Sequence, residues 1–216
     1  MSTGYLPHEF NLPKGAPPDL IAEIEYVSRD IFARHGLSAF EMSREAALAH
    51  EAGHVIVAAH EGLSVQSVRI FSRSMPLVGT VWGGWWTDES KEWTAGPDTS
   101  AESDLSRARI VIGGLAGEVA CGLDKPGSSI DEEALSRRLG IYAASKLGNR
   151  TLGPDENINN AYARQLWHEK VWCVALNIIC DNREPFVQLT KHLQEHEEMN
   201  GSKLRAVLAR VRRIAP

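Results

Sequence analysis

The chain has 216 residues, enough for one domain with a sizeable core. Hydrophobic residues make up 43% and charged residues 24%, an ordinary globular balance that excludes wholesale disorder. The net charge of −5 argues against a nucleic-acid partner, whose binders carry a basic excess. No stretch reaches the roughly 18 uninterrupted apolar residues of a membrane span, so no membrane association is expected.

In chain order, residues 1–17 are rich in Pro and Gly and read as an extended arm without the apolar core of a signal peptide. The rest, 18–216, reads as one domain. Leu20, Ile24, Val27 and Ile31 recur at helical spacing up to Gly36, a stop signal. Ser43 is a cap for a second helix that carries Glu45 in its first turn and ends near Gly62. Val65–Phe71 and Gly79–Trp86, rich in β-branched and aromatic residues, predict a strand pair turned by 72–76. A polar loop follows to Thr99. Ser100 or Ser103 caps a helix to about Cys121, and Ser128 or Ser129 caps another through Leu139 and Ala143. A long helix over about 156–180, one across Phe186–Leu193 and a last one after Gly201 complete a predominantly helical α+β domain with a small sheet.

Three cysteines, Cys121, Cys173 and Cys180, form no CxxC pair. That sparse count fits a reducing, cytoplasmic setting. Cys173 and Cys180 lie two turns apart on one predicted helix and cannot bridge, and all three are expected to be buried small apolar residues.

The chemistry-bearing signal is His50-Glu51-Ala52-Gly53-His54, an HExxH on the second helix. Two imidazoles at i and i+4 share one face and can reach one metal ion. Glu51 flanks that face, placed to act as base towards a water rather than as a ligand. Residue frequencies give about 0.03 chance occurrences in a chain of this composition. Apolar residues on both sides bury the helix, where two His and a Glu are costly unless something pairs with them. Zinc is the expected partner.

A third protein ligand must come from elsewhere. His60 has the spacing of the HExxHxxGxxH zincins, but Val57 stands where those need Gly. The helix therefore continues, leaving His60 about 120° round from His54 and about 9 Å further along. Glu118, in Gly113-Gly114-Leu115-Ala116-Gly117-Glu118, is a buried acidic candidate, either a ligand or the orienter of a ligating imidazole. Asp131, after Gly127-Ser128-Ser129-Ile130, is another, although a first-turn acid also simply serves the helix dipole.

These motifs in this order resemble the peptidase domain of the FtsH-type AAA zinc proteases. The HEAGH pentapeptide, the strand pair with Gly79-Thr80-Val81, the Gly113–Val119 helix and Gly127–Asp131 all have counterparts there, and the likeness runs over about 44–211. The resemblance implies a zincin-like metallopeptidase domain with His50, His54 and Asp131 as zinc ligands and Glu51 as general base. It makes Glu118 a residue that holds an imidazole, and Gly79, Thr80 and Val81 part of a strand edge along which substrate adds. Leu115, Val119 and Ile130 depart from the family's pattern, and these residues contain no GxxxxGK[ST] phosphate loop. The expected substrate is accordingly a peptide or unfolded protein, cleaved without ATP or fed by a separate unfoldase or adaptor. A catalytically weak, zinc-containing adaptor is the alternative. Trp82, Trp85, Trp86 and Trp93 either pack under the sheet or form an aromatic lip for substrate.

Overall fold

The computed structural model describes residues 18–75, 79–88, 99–125, 129–148 and 161–213. The arm expected at 1–17, Trp93, Gly127 and Ser128 lie outside them. The described chain is predominantly helical with one small sheet. Its elements run α1 (Pro18–His35), a short 3-10 turn (Leu37–Phe40), α2 (Arg44–His60), β1 (Val65–Met75), β2 (Gly79–Asp88), α3 (Ala101–Cys121) and α4 (Ile130–Leu147). Then come α5 (Ala161–Trp167), one π-helical turn (His168–Trp172), α6 (Cys173–Asp181), α7 (Arg183–His196), β3 (Glu198–Asn200) and α8 (Gly201–Leu208).

Helix α2 is the core element. The Ser43 hydroxyl accepts from the Ala46 amide at 3.1 Å, capping the free end that Glu45 also favours. Every residue from Ala46 to Ala59 is buried. Helix α3 crosses α2 with the backbones touching. A Cβ on Gly53 would stand 2.2 Å from the Gly113 carbonyl oxygen, and one on Gly117 would stand 2.2 Å from that of Ala49. Only glycine at these positions permits the approach.

The sheet order is β2-β1-β3, all antiparallel. Val68 and Ile70 turn inward in alternation with exposed Arg69, as a half-buried strand requires. The hairpin is longer than expected, because β1 continues through Ser72–Met75. Strand β3 has too few residues to show a period in sequence. It pairs Glu198–Asn200 with Ser67–Arg69 and ties the C-terminal helices to the hairpin. A second apolar cluster joins Leu20, Ile24 and Ile31 of α1 to Ile130 and Ala134 of α4.

One expectation is overturned. Cys121 and Cys180 are exposed and Cys173 is half-buried. Helix α6 turns Ala175, Ile178 and Ile179 inward, and this leaves Cys180 on its outer side.

Candidate metal centre

Helix α2 projects His50 and His54 from one face, with their Nε2 atoms 3.0 Å apart. Each ring is held from behind. His50 Nδ1 donates to Glu118 Oε1 at 2.7 Å, and His54 Nδ1 donates to the Ile110 carbonyl at 2.8 Å. Both partners sit on α3. With the proton on Nδ1, each neutral imidazole presents its lone pair at Nε2. The two lone pairs converge on one point, and a carboxylate joins them. Glu132 Oε1 lies 2.9 Å from His54 Nε2 and 3.2 Å from His50 Nε2.

This donor set fits zinc. Ligands at about 2.0–2.1 Å on tetrahedral corners stand about 3.3–3.4 Å from one another. The three observed separations lie a few tenths of an ångström inside that. In the zinc-free protein, protons on Nε2 bridge the imidazoles to Glu132, and a zinc ion would take their place between the three donors. Among the described residues, His50, His54 and Glu132 are the one such group of potential ligands.

The carboxylate that the structure brings to the two imidazoles is Glu132, where the family resemblance pointed to Asp131. Asp131 is not in the converging group. Helix periodicity explains why. Glu132, Ser136, Leu139 and Ala143 share one face of α4, and that face meets α3, where the Ser136 hydroxyl donates to the Ala108 carbonyl at 2.9 Å. Asp131 is 100° away, on the stripe continued by Arg138, whose guanidinium meets Asp19 of α1 at 2.7 Å. The acidic run Asp131-Glu132-Glu133 held the signal, because only Glu132 is in phase with the buried Leu139 and Ala143.

Glu118 lies behind His50 and outside the converging group. It is fully buried, and the Ser129 hydroxyl donates to the same Oε1 at 3.1 Å. Ser129 stands at the α4 N-cap position but makes no side-chain cap there. Its hydroxyl serves the site instead. His60 stays out of the centre, as the uninterrupted helix requires. Its Nδ1 meets the Arg212 carbonyl.

Glu51 is 4% exposed, and its Oε2 has no hydrogen-bond partner. It lies against β2, where a Cβ on Gly84 would stand 2.4 Å from Glu51 Cγ. Burial pushes its carboxyl above the ordinary range, which strengthens it as a base. Burial opposes charge on the imidazoles, but the surrounding carboxylates together, Glu132 foremost, with Glu51 and at His50 also Glu118, hold both His50 and His54 above the usual value. The same pairing holds Glu132 far below its usual range against the effect of its own burial.

Trp86 stacks on His54 with ring centroids 6.2 Å apart and closes that side of the centre. Trp82 and Trp86 pack partly on the core, while Trp85 is 41% exposed. The packing reading thus applies to Trp82 and Trp86. Strand β2 is an edge of the sheet, but Gly79–Val81 pair with Arg73–Met75 near the hairpin turn. Gly84 lies against Glu51, and Trp86 lies against His54. The Trp82 amide already donates outward to the Met42 carbonyl at 3.1 Å. Strand alternation therefore points the backbone groups of Gly84 and Trp86 to the same outer edge.

No family model matches this chain, and no curated protein does.

Proposed function

We propose that this protein is a zinc-dependent endopeptidase acting on extended or unfolded polypeptide, with the zincin-like arrangement its resemblance to FtsH-type peptidase domains implies. The observation that carries the reading is the convergence of His50 Nε2, His54 Nε2 and Glu132 Oε1 beside a buried Glu51 whose Oε2 has no hydrogen-bond partner. A site built only to hold a structural ion closes its coordination with protein and needs no base next to it. This favours catalysis over the adaptor reading.

His50, His54 and Glu132 would hold a zinc ion that, when bound, would supply Lewis acidity at a scissile carbonyl and acidify water towards neutrality. Glu51 takes a proton from the attacking water and passes it to the leaving amine. Glu118 and the Ile110 carbonyl keep both imidazoles in the tautomer that can ligate. Substrate backbone adds along the outer edge of β2 at Gly84 and Trp86, which brings a peptide bond past Glu51. Trp86 keeps water from the His54 side.

The test is digestion of a denatured protein such as casein by the untagged chain, with and without chelator, followed by mapping of cut sites. Internal cuts that vanish with chelator and return with zinc are expected. Intact casein in the presence of a zinc-loaded chain would overturn the assignment.

A further inference from the structure

The chain carries a second His-x3-His, His192-Leu193-Gln194-Glu195-His196, near the end of α7. We propose that His192 and His196 form a surface site for a borderline transition-metal dication such as Zn2+, Ni2+ or Cu2+, separate from the buried centre.

Residues at i and i+4 share a helix face, and these two rings lie with centroids 4.5 Å apart and planes inclined at 45°. One ion can bridge two imidazoles so placed. Imidazole nitrogen is the side-chain donor that Zn, Ni and Cu share. Solvent reaches the pair, since His192 is half-buried and His196 exposed. Water can then fill the remaining coordination positions.

The helix end that carries the pair is fixed in advance. The Glu197 amide donates to the Leu193 carbonyl at 2.8 Å, and the Ile70 amide donates to the Glu197 carbonyl at 2.8 Å. Arg44 Nη2 donates to the Gln194 carbonyl at 2.7 Å. Little backbone freedom is left to lose on chelation. A hydrogen bond with the Glu198 backbone steadies the His192 ring. Glu195 Oε2, 3.7 Å from His196 Nε2, adds negative charge beside the pair.

This second motif is built for binding, not hydrolysis. The position after the first His, held by Glu51 in the buried motif, is Leu193 here, and Leu193 is fully buried.

The experiment is a Zn2+ titration of the untagged full chain, comparing wild type with His192→Ala/His196→Ala, read by calorimetry and by the imidazole ring signals in NMR. Wild type is expected to bind one more zinc than the variant, with the His192 and His196 signals shifting together. The buried centre reads out separately, because its loss removes the event that persists in the variant. Equal stoichiometry in the two proteins, or unmoved His192 and His196 signals in wild type, would overturn the proposal. The NMR readout on wild type stands whether or not the variant folds.

Discussion

Glu118 sits behind His50, its Oε1 2.7 Å from Nδ1, on the side of the ring opposite the nitrogen that meets Glu132. One imidazole is thus gripped by carboxylates at both nitrogens. Glu118→Gln keeps the shape and removes the charge. We expect zinc affinity to fall by about 10–100-fold with the fold intact, read by competition with a chromophoric chelator. Unchanged affinity would remove Glu118 from the site's chemistry.

The two neighbouring acids of α4 separate cleanly. Glu132→Ala should abolish tight zinc binding, because it removes one of three converging donors. Asp131→Ala should leave it nearly unchanged. Metal titration of both variants decides the matter, and the reverse ranking would return the third ligand to Asp131.

Glu51→Gln should keep the bound zinc and lose about 10²–10⁴-fold in kcat, the usual contribution of a positioned base. A variant that cleaves casein at the wild-type rate would mean that the proton goes elsewhere.

Gly84→Ala tests the packing of that base. The added methyl meets Glu51 Cγ at 2.4 Å and the Arg69 carbonyl oxygen at 2.5 Å. Something must shift, and displacing a catalytic group by about 1 Å can cost about 100-fold in rate. Loss of kcat with retained zinc and an unchanged circular dichroism spectrum is expected. Full activity would show that Glu51 needs no support from β2.

Zinc binding should release protons at neutral pH. Burial opposes charge on both imidazoles, but Glu132 with Glu51 and, at His50, Glu118 raises their affinity for protons, and the metal must displace those protons. The sign follows. Their contribution to the stability of the zinc-free protein is full below the ordinary imidazole pKa and is lost as pH rises through the raised values, whereas zinc affinity increases over the same interval. Calorimetry in buffers of different ionisation enthalpy measures the release. An enthalpy independent of buffer would contradict it.

Much of this arrangement was legible beforehand. Ser43, Glu45 and the apolar flanks marked α2, and the i, i+4 spacing put both imidazoles on one face. Glu118 stood out as a carboxylate on a helix of small residues. The expectation for Asp131 came from the family resemblance of Gly127–Asp131, while the period of α4 itself puts Glu132 on the face that meets α3. Leu139 and Ala143 carried that period in plain view. The cysteines were misjudged for a related reason. Residue type favours burial on average, but the face of α6 decides it. Strand β3 was not legible at all, since three residues cannot display alternation and their pairing with Ser67–Arg69 is a tertiary event.

Gly114 lies beneath the two imidazoles. A single methyl group there would stand 2.5 Å from His50 Cε1 and 2.6 Å from both Nε2 atoms. The floor of the chamber is therefore a hydrogen atom, and alanine at this position would act as a plug moulded into the main chain. Gly114→Ala thus offers a tool that ligand knockouts lack, a protein that keeps His50, His54 and Glu132 while an added methyl crowds both imidazoles.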